Sequence, residues 1–113
     1  MAKLDLSHEA QRDLHDIKKY IETVLVSPTA ATNVVSKIMK SMRRLKAFPL
    51  IGSPLTSAAG EETDYRFLIC GNYLALYRVQ ANIVYIDRVL YGKRDYMAIL
   101  FGDTLESQPD TEK

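Results

Sequence analysis

Six of the seven tyrosines, Tyr65, Tyr73, Tyr77, Tyr85, Tyr91 and Tyr96, share a short stretch with Arg66, Arg78, Arg88, Lys93 and Arg94, against only Asp87 and Asp95. Aromatic rings beside guanidinium groups can stack bases and hold phosphates, as single-stranded nucleic-acid sites do. Tyrosine is also a favoured strand residue, so packing accounts for at least half of these rings. A second basic cluster precedes it. Lys37, Lys40, Arg43, Arg44 and Lys46 stand in a span with no acid from residue 28 to residue 60. Such a stripe is either a solvated helix face or an attractor for phosphate or an acidic partner.

Other chemistries find no support. The two histidines, His8 and His15, sit together near the start, and no serine has the surroundings of a nucleophile elbow. Cys70 is the single cysteine, which excludes an internal disulfide and, with two histidines, a Cys/His metal cluster. Gly71 and Gly92 are isolated and make no phosphate-cradling loop. No metal and no cofactor is expected.

These residues need elements to position them. The chain has 113 residues, 47% of them apolar, enough for one core and too few for two domains. Leu4 and Leu6 alternate with polar neighbours, which predicts a short edge strand ending at Ser7, a helix N-cap. Ala10, Leu14, Ile17, Ile21 and Val24 then recur at helical spacing over about five turns. Ser27-Pro28 opens a second helix, with Ala31, Val35, Ile38, Met42 and Leu45 on its apolar face. The pair makes an antiparallel hairpin. From Phe48 to Asp64, prolines, glycines and small polar residues predict a surface loop. Strands follow over 65–70, 73–80 and 83–90, joined by a two-residue turn at Gly71-Asn72 and a short turn near Ala81-Asn82. Pairing across the first turn sets Arg66 opposite Tyr77; a two-residue second turn adds Ile86 and Arg88 to that face, and a three-residue turn reverses the assignment. Residues 95–101 suit a short closing helix. The expected fold is α+β, with an N-terminal strand and a helix hairpin packed on a C-terminal antiparallel meander.

Residues 1–102 form the expected single domain, and 103–113 an acidic, disordered tail. The formal net charge of +1 averages the two: the tail holds four acids and one base, leaving the body 14 bases against 10 acids. No stretch has the make-up of a signal peptide or a membrane span, so a cytoplasmic protein without membrane contact is expected.

The chain resembles the RelE/ParE toxins of type II toxin-antitoxin modules from Leu4 to about Phe101. The resemblance rests first on Ser7-x-x-Ala10-x-x-Asp13-Leu14-x-x-Ile17-x-x-Tyr20-Ile21, Pro28-x-Ala30-Ala31 and Leu45-x-x-Phe48-Pro49-x-Ile51-Gly52-x-Pro54. It continues through Tyr65-Arg66, Tyr73, Tyr77-Arg78-Val79 and Val89-Leu90-Tyr91-Gly92-Lys93-Arg94-Asp95-Tyr96. It implies a growth-inhibiting toxin held in a hetero-oligomeric complex by a cognate antitoxin. The target it implies is either DNA gyrase or mRNA on the ribosome. For the RNase branch, Arg66, Arg94 and Tyr91 are the catalytic candidates, orienting a 2′-hydroxyl and stabilising a charged phosphate. Leu74 and Leu68, however, stand where that branch has basic residues, and Tyr91 where many relatives have histidine. The wording through Phe48-Pro49 is closer to the gyrase branch, which needs no RNase site. A degenerate member that still binds antitoxin is the third alternative. Tyr77, Arg78, Arg88, Lys93 and Tyr96 are the candidate contacts to antitoxin or target. An apolar strip between helix hairpin and sheet edge is expected to receive an amphipathic antitoxin segment, whose acids would cover Arg66, Arg88, Lys93 and Arg94.

Overall fold

The computed structural model describes residues 1–56, 60 and 62–92. Strand β1 (Lys3–Leu6) leads into α1 (His8–Thr23), then α2 (Pro28–Arg43) and a single 3-10 turn (Arg44–Lys46). Strands β2 (Ser53–Thr56), β3 (Glu62–Cys70), β4 (Tyr73–Gln80) and β5 (Ile83–Tyr91) complete one sheet in the order β1-β5-β4-β3-β2. All pairs are antiparallel except β1 with β5. The expected α+β fold is present, with both helices packed on one face of the sheet. The sheet, though, has five strands.

The additional strand is β2, which lies inside the segment expected to be loop. Its sequence Ser-Pro-Leu-Thr shows no clear alternation, and proline is tolerated there because β2 is an edge strand. The expected closing helix at 95–101 and the tail at 103–113 lie outside the described residues.

Both helices begin as their caps dictate. The Ser7 hydroxyl accepts from Ala10 N at 2.9 Å and donates to Asp87 O at 2.7 Å, so one side chain caps α1 and ties it to β5. Ser27 caps α2 at 3.3 Å, with Pro28 in the first turn, where a missing N–H costs nothing. Ala10, Ile38, Met42 and Leu45 from the helical side meet Leu68, Cys70, Ala75, Tyr77, Val84, Ile86 and Val89 of the sheet in one core. Each Val, Leu, Ile or Met among them contributes roughly 1.5–3 kcal/mol on full burial. Val24, expected on the apolar face of α1, is exposed because the helix ends there.

Both hairpin turns have two residues, which settles the length of the second, with Cys70 opposite Tyr73 and Gln80 opposite Ile83. Arg66 faces Tyr77 and Ile86 joins them in register. Arg88 does not. A bulge between Leu76 and Tyr77 inserts Asp87, and Arg88 falls opposite Leu76 instead.

Candidate functional site

Each described sheet arginine is engaged by a different group of the chain. Arg66 Nη1 donates to the carbonyls of Gly52 at 2.8 Å and Leu50 at 3.3 Å. Opposite it, Tyr77 is 0% exposed; its hydroxyl accepts from Gly52 N at 2.9 Å and donates to Pro49 O at 2.8 Å. Burial pushes this phenol above its ordinary value, outweighing Arg66 nearby. Together they clamp the turn Pro49–Gly52. Gly52 is obligatory in that clamp: a Cβ there would meet the Tyr77 hydroxyl at 2.5 Å and Phe67 O at 2.7 Å.

Arg88 is spent on α1. Its Nε and Nη2 reach Asp13 at 2.8 and 2.9 Å, a bidentate pair, and Asp13 also accepts from Val89 N at 2.9 Å. Asp13 thus satisfies a donor on β5 beyond the point where short β1 stops pairing. The hydrogen bonds to Asp13 raise the guanidinium further above its usual range. Arg78 pairs with Asp87 at 3.3 Å and lies 4.8 Å from the Tyr85 ring centroid. Tyr65 joins this cluster, its phenol pushed up by burial first and by Asp87 second.

Among the described candidates Tyr91 is the one mostly exposed, at 62%, and it lies edge-on to Tyr73 at 5.4 Å between centroids. The two rings border a cleft of about 660 Å³ lined largely by apolar residues, among them Ile17, Tyr20, Leu25 and Val34 of the helix hairpin. At its rim the interhelix turn exposes Val24, Leu25 and Val26 in succession, and Val26 holds a positive φ of 52°. For a β-branched residue that conformation is an outlier of the kind that gathers at functional surfaces. Sequence reasoning located an apolar strip but not this turn, whose only local signal is three consecutive apolar residues after a helix.

Cys70 is buried, and burial pushes its thiol up, away from nucleophilic behaviour. Among the described residues no His, Cys, Asp and Glu group could hold a metal, and no helix is long and apolar enough to cross a membrane. Lys93, Arg94 and Tyr96 lie outside the described residues.

The sequence profile of the ParE toxin of type II toxin-antitoxin systems, parDE, matches residues 4–96. No curated protein matches the sequence. Among solved structures, one titled the chromosomal ParDE toxin-antitoxin system from P. aeruginosa superimposes with a TM-score of 0.68 at 23% identity, covering 82% of this chain and 98% of that one. The RelBE2 toxin-antitoxin complex from Mycobacterium tuberculosis gives 0.53 at 25% identity, covering 80% and 96%. YafQ from E. coli gives 0.54 at 17% identity, covering 90% and 100%.

Proposed function

Since the chain belongs to the ParE toxin family of type II toxin-antitoxin systems, we propose that it arrests growth by acting on DNA gyrase and is silenced by a cognate antitoxin. One observation carries the choice of gyrase over mRNA cleavage. Phosphate-bond chemistry needs preorganised cations aimed at a developing charge, and the described sheet arginines are already engaged within the chain. Arg66 holds loop carbonyls, Arg78 holds Asp87 and Arg88 holds Asp13. Leu68 and Leu74, at positions basic in the RNase branch, are buried.

The cleft between helix hairpin and sheet end is the seat of the antitoxin. Its apolar lining suits one face of an amphipathic helix, and Asp16 and Asn72 give it a polar edge. Arg66 and Arg88, already satisfied internally, contribute little to that contact; Lys93, Arg94 and Tyr96, together with exposed Tyr91, remain its proposed polar partners.

Induction of the chain in growing bacteria tests the target. The expected outcome is chromosomal cleavage with SOS induction while messages stay intact. Rapid loss of translated mRNA with intact DNA would overturn the gyrase reading in favour of the RNase one.

A further inference from the structure

The turn that Tyr77 and Arg66 clamp exposes large apolar side chains. Phe48 and Leu50 are each 62% exposed and Ile51 is 40% exposed, although the backbone beneath them is fixed by four hydrogen bonds from two side chains. A further bond from Ile51 N to Phe48 O at 3.2 Å closes the turn on itself, and Phe48 N to Arg44 O at 3.0 Å joins it to the end of α2. A loop that merely connected two elements would gain by turning these side chains inward, out of water. Here the buried Tyr77 hydroxyl and the half-buried Arg66 guanidinium hold them out. Rigid presentation of apolar anchors lowers the ordering cost of association.

Charge identifies what the anchors meet. Exposed Lys40, Arg43 and Arg44, with Lys46, immediately precede the turn, and none of them has a carboxylate partner among the described residues. No acid occurs from residue 28 to residue 60. The antitoxin cleft lies at the other end of α2, whose 16 residues span about 24 Å. We propose that the Phe48–Ile51 turn and the basic end of α2 dock an acidic, partly apolar polypeptide segment of the protein that this toxin inhibits. The inference rests on the toxin reading given above. Apolar anchors in a basic frame fit a protein surface; a nucleic acid would call for stacking rings among the cations, and Phe48 is the one aromatic residue in the turn.

The test pairs Phe48→Ser/Leu50→Glu with the charge reversal Lys40→Glu/Arg43→Glu in the full-length chain, read by growth arrest on induction, antitoxin affinity by calorimetry, and thermal melting. Both variants should melt within a few degrees of the parent, bind antitoxin within about twofold, and need at least about tenfold more expression to arrest growth. Arrest at parental expression levels overturns the docking surface, as does a large loss of antitoxin affinity, which would make the turn an antitoxin contact. Loss of arrest in the first variant alone overturns the acidic character of the partner. A parent chain that arrests nothing overturns the toxin reading itself, and this inference with it.

Discussion

The Tyr77 hydroxyl serves two backbone groups in a fully dry position, and this makes it the most consequential polar atom on the described sheet. Tyr77→Phe should cost about 1–3 kcal/mol, because the buried Gly52 N–H loses its acceptor and the half-buried Pro49 C=O its donor. Urea unfolding at neutral pH measures this directly. The same residue sets an alkaline limit. Its folded pKa lies above the ordinary value of 10.0, chiefly through burial, so past that pH the unfolded chain releases a proton that the folded chain still holds. Stability should be level below about pH 9 and fall above about pH 10. Tyr65 and Tyr73 are shifted the same way. Repeating the unfolding between those pH values should show a shallower fall in Tyr77→Phe than in the parent; equal slopes would exclude Tyr77 as a contributor. The pairing of Arg66 with Tyr77 was legible in the sequence from the Gly71-Asn72 turn alone. Their hydrogen-bond partners were not, because Pro49 and Gly52 lie 28 and 25 residues from Tyr77 and no periodicity relates them.

Each of two connections holds a non-glycine residue at positive φ, Ala81 at 56° and Val26 at 52°. Ala81 occupies the first of two turn residues, where Gly71 stands with a φ of 66° in the other hairpin. Ala81→Gly should therefore stabilise the fold by about 0.5–1 kcal/mol, after the greater freedom of unfolded glycine is subtracted. In a domain of this size that raises Tm by roughly 2–4 °C, which a calorimetric scan resolves. The helices were readable because each combines a cap with an unbroken hydrophobic period, and the central strands because short turns bound runs of strand-favouring residues. Where one of these is missing, reading failed: β2 carries a proline and no alternation, and its status as a strand depends on β3 lying beside it. The bulge at Asp87 escaped for a related reason. It inserts one residue into an otherwise regular apolar pattern, and Arg88 then finds Asp13, 75 residues away.

Splitting the charge between an acidic tail and a basic body already suggested that one part of the molecule meets its partners; the two docking surfaces proposed above divide that work. On the whole molecule the apolar cleft and the clamped turn stand at opposite ends of α2, and neutralisation and toxicity should be separable by mutation. Leu25→Glu places a charge at the rim of the cleft, on a side chain that is mostly exposed and carries little of the core. It should weaken antitoxin binding by at least about tenfold, the loss expected when an apolar anchor is replaced by a group that must be desolvated, while leaving Tm nearly unchanged. In cells carrying both partners the variant should arrest growth at antitoxin levels that silence the parent. The measurement is a titration of antitoxin expression against growth rate, supported by calorimetric binding with purified proteins. Parental affinity in Leu25→Glu would show that the antitoxin seats elsewhere. Restored arrest beside the lost arrest expected of Phe48→Ser/Leu50→Glu would instead demonstrate that one helix keeps the inhibitor and the target on separate faces of the toxin.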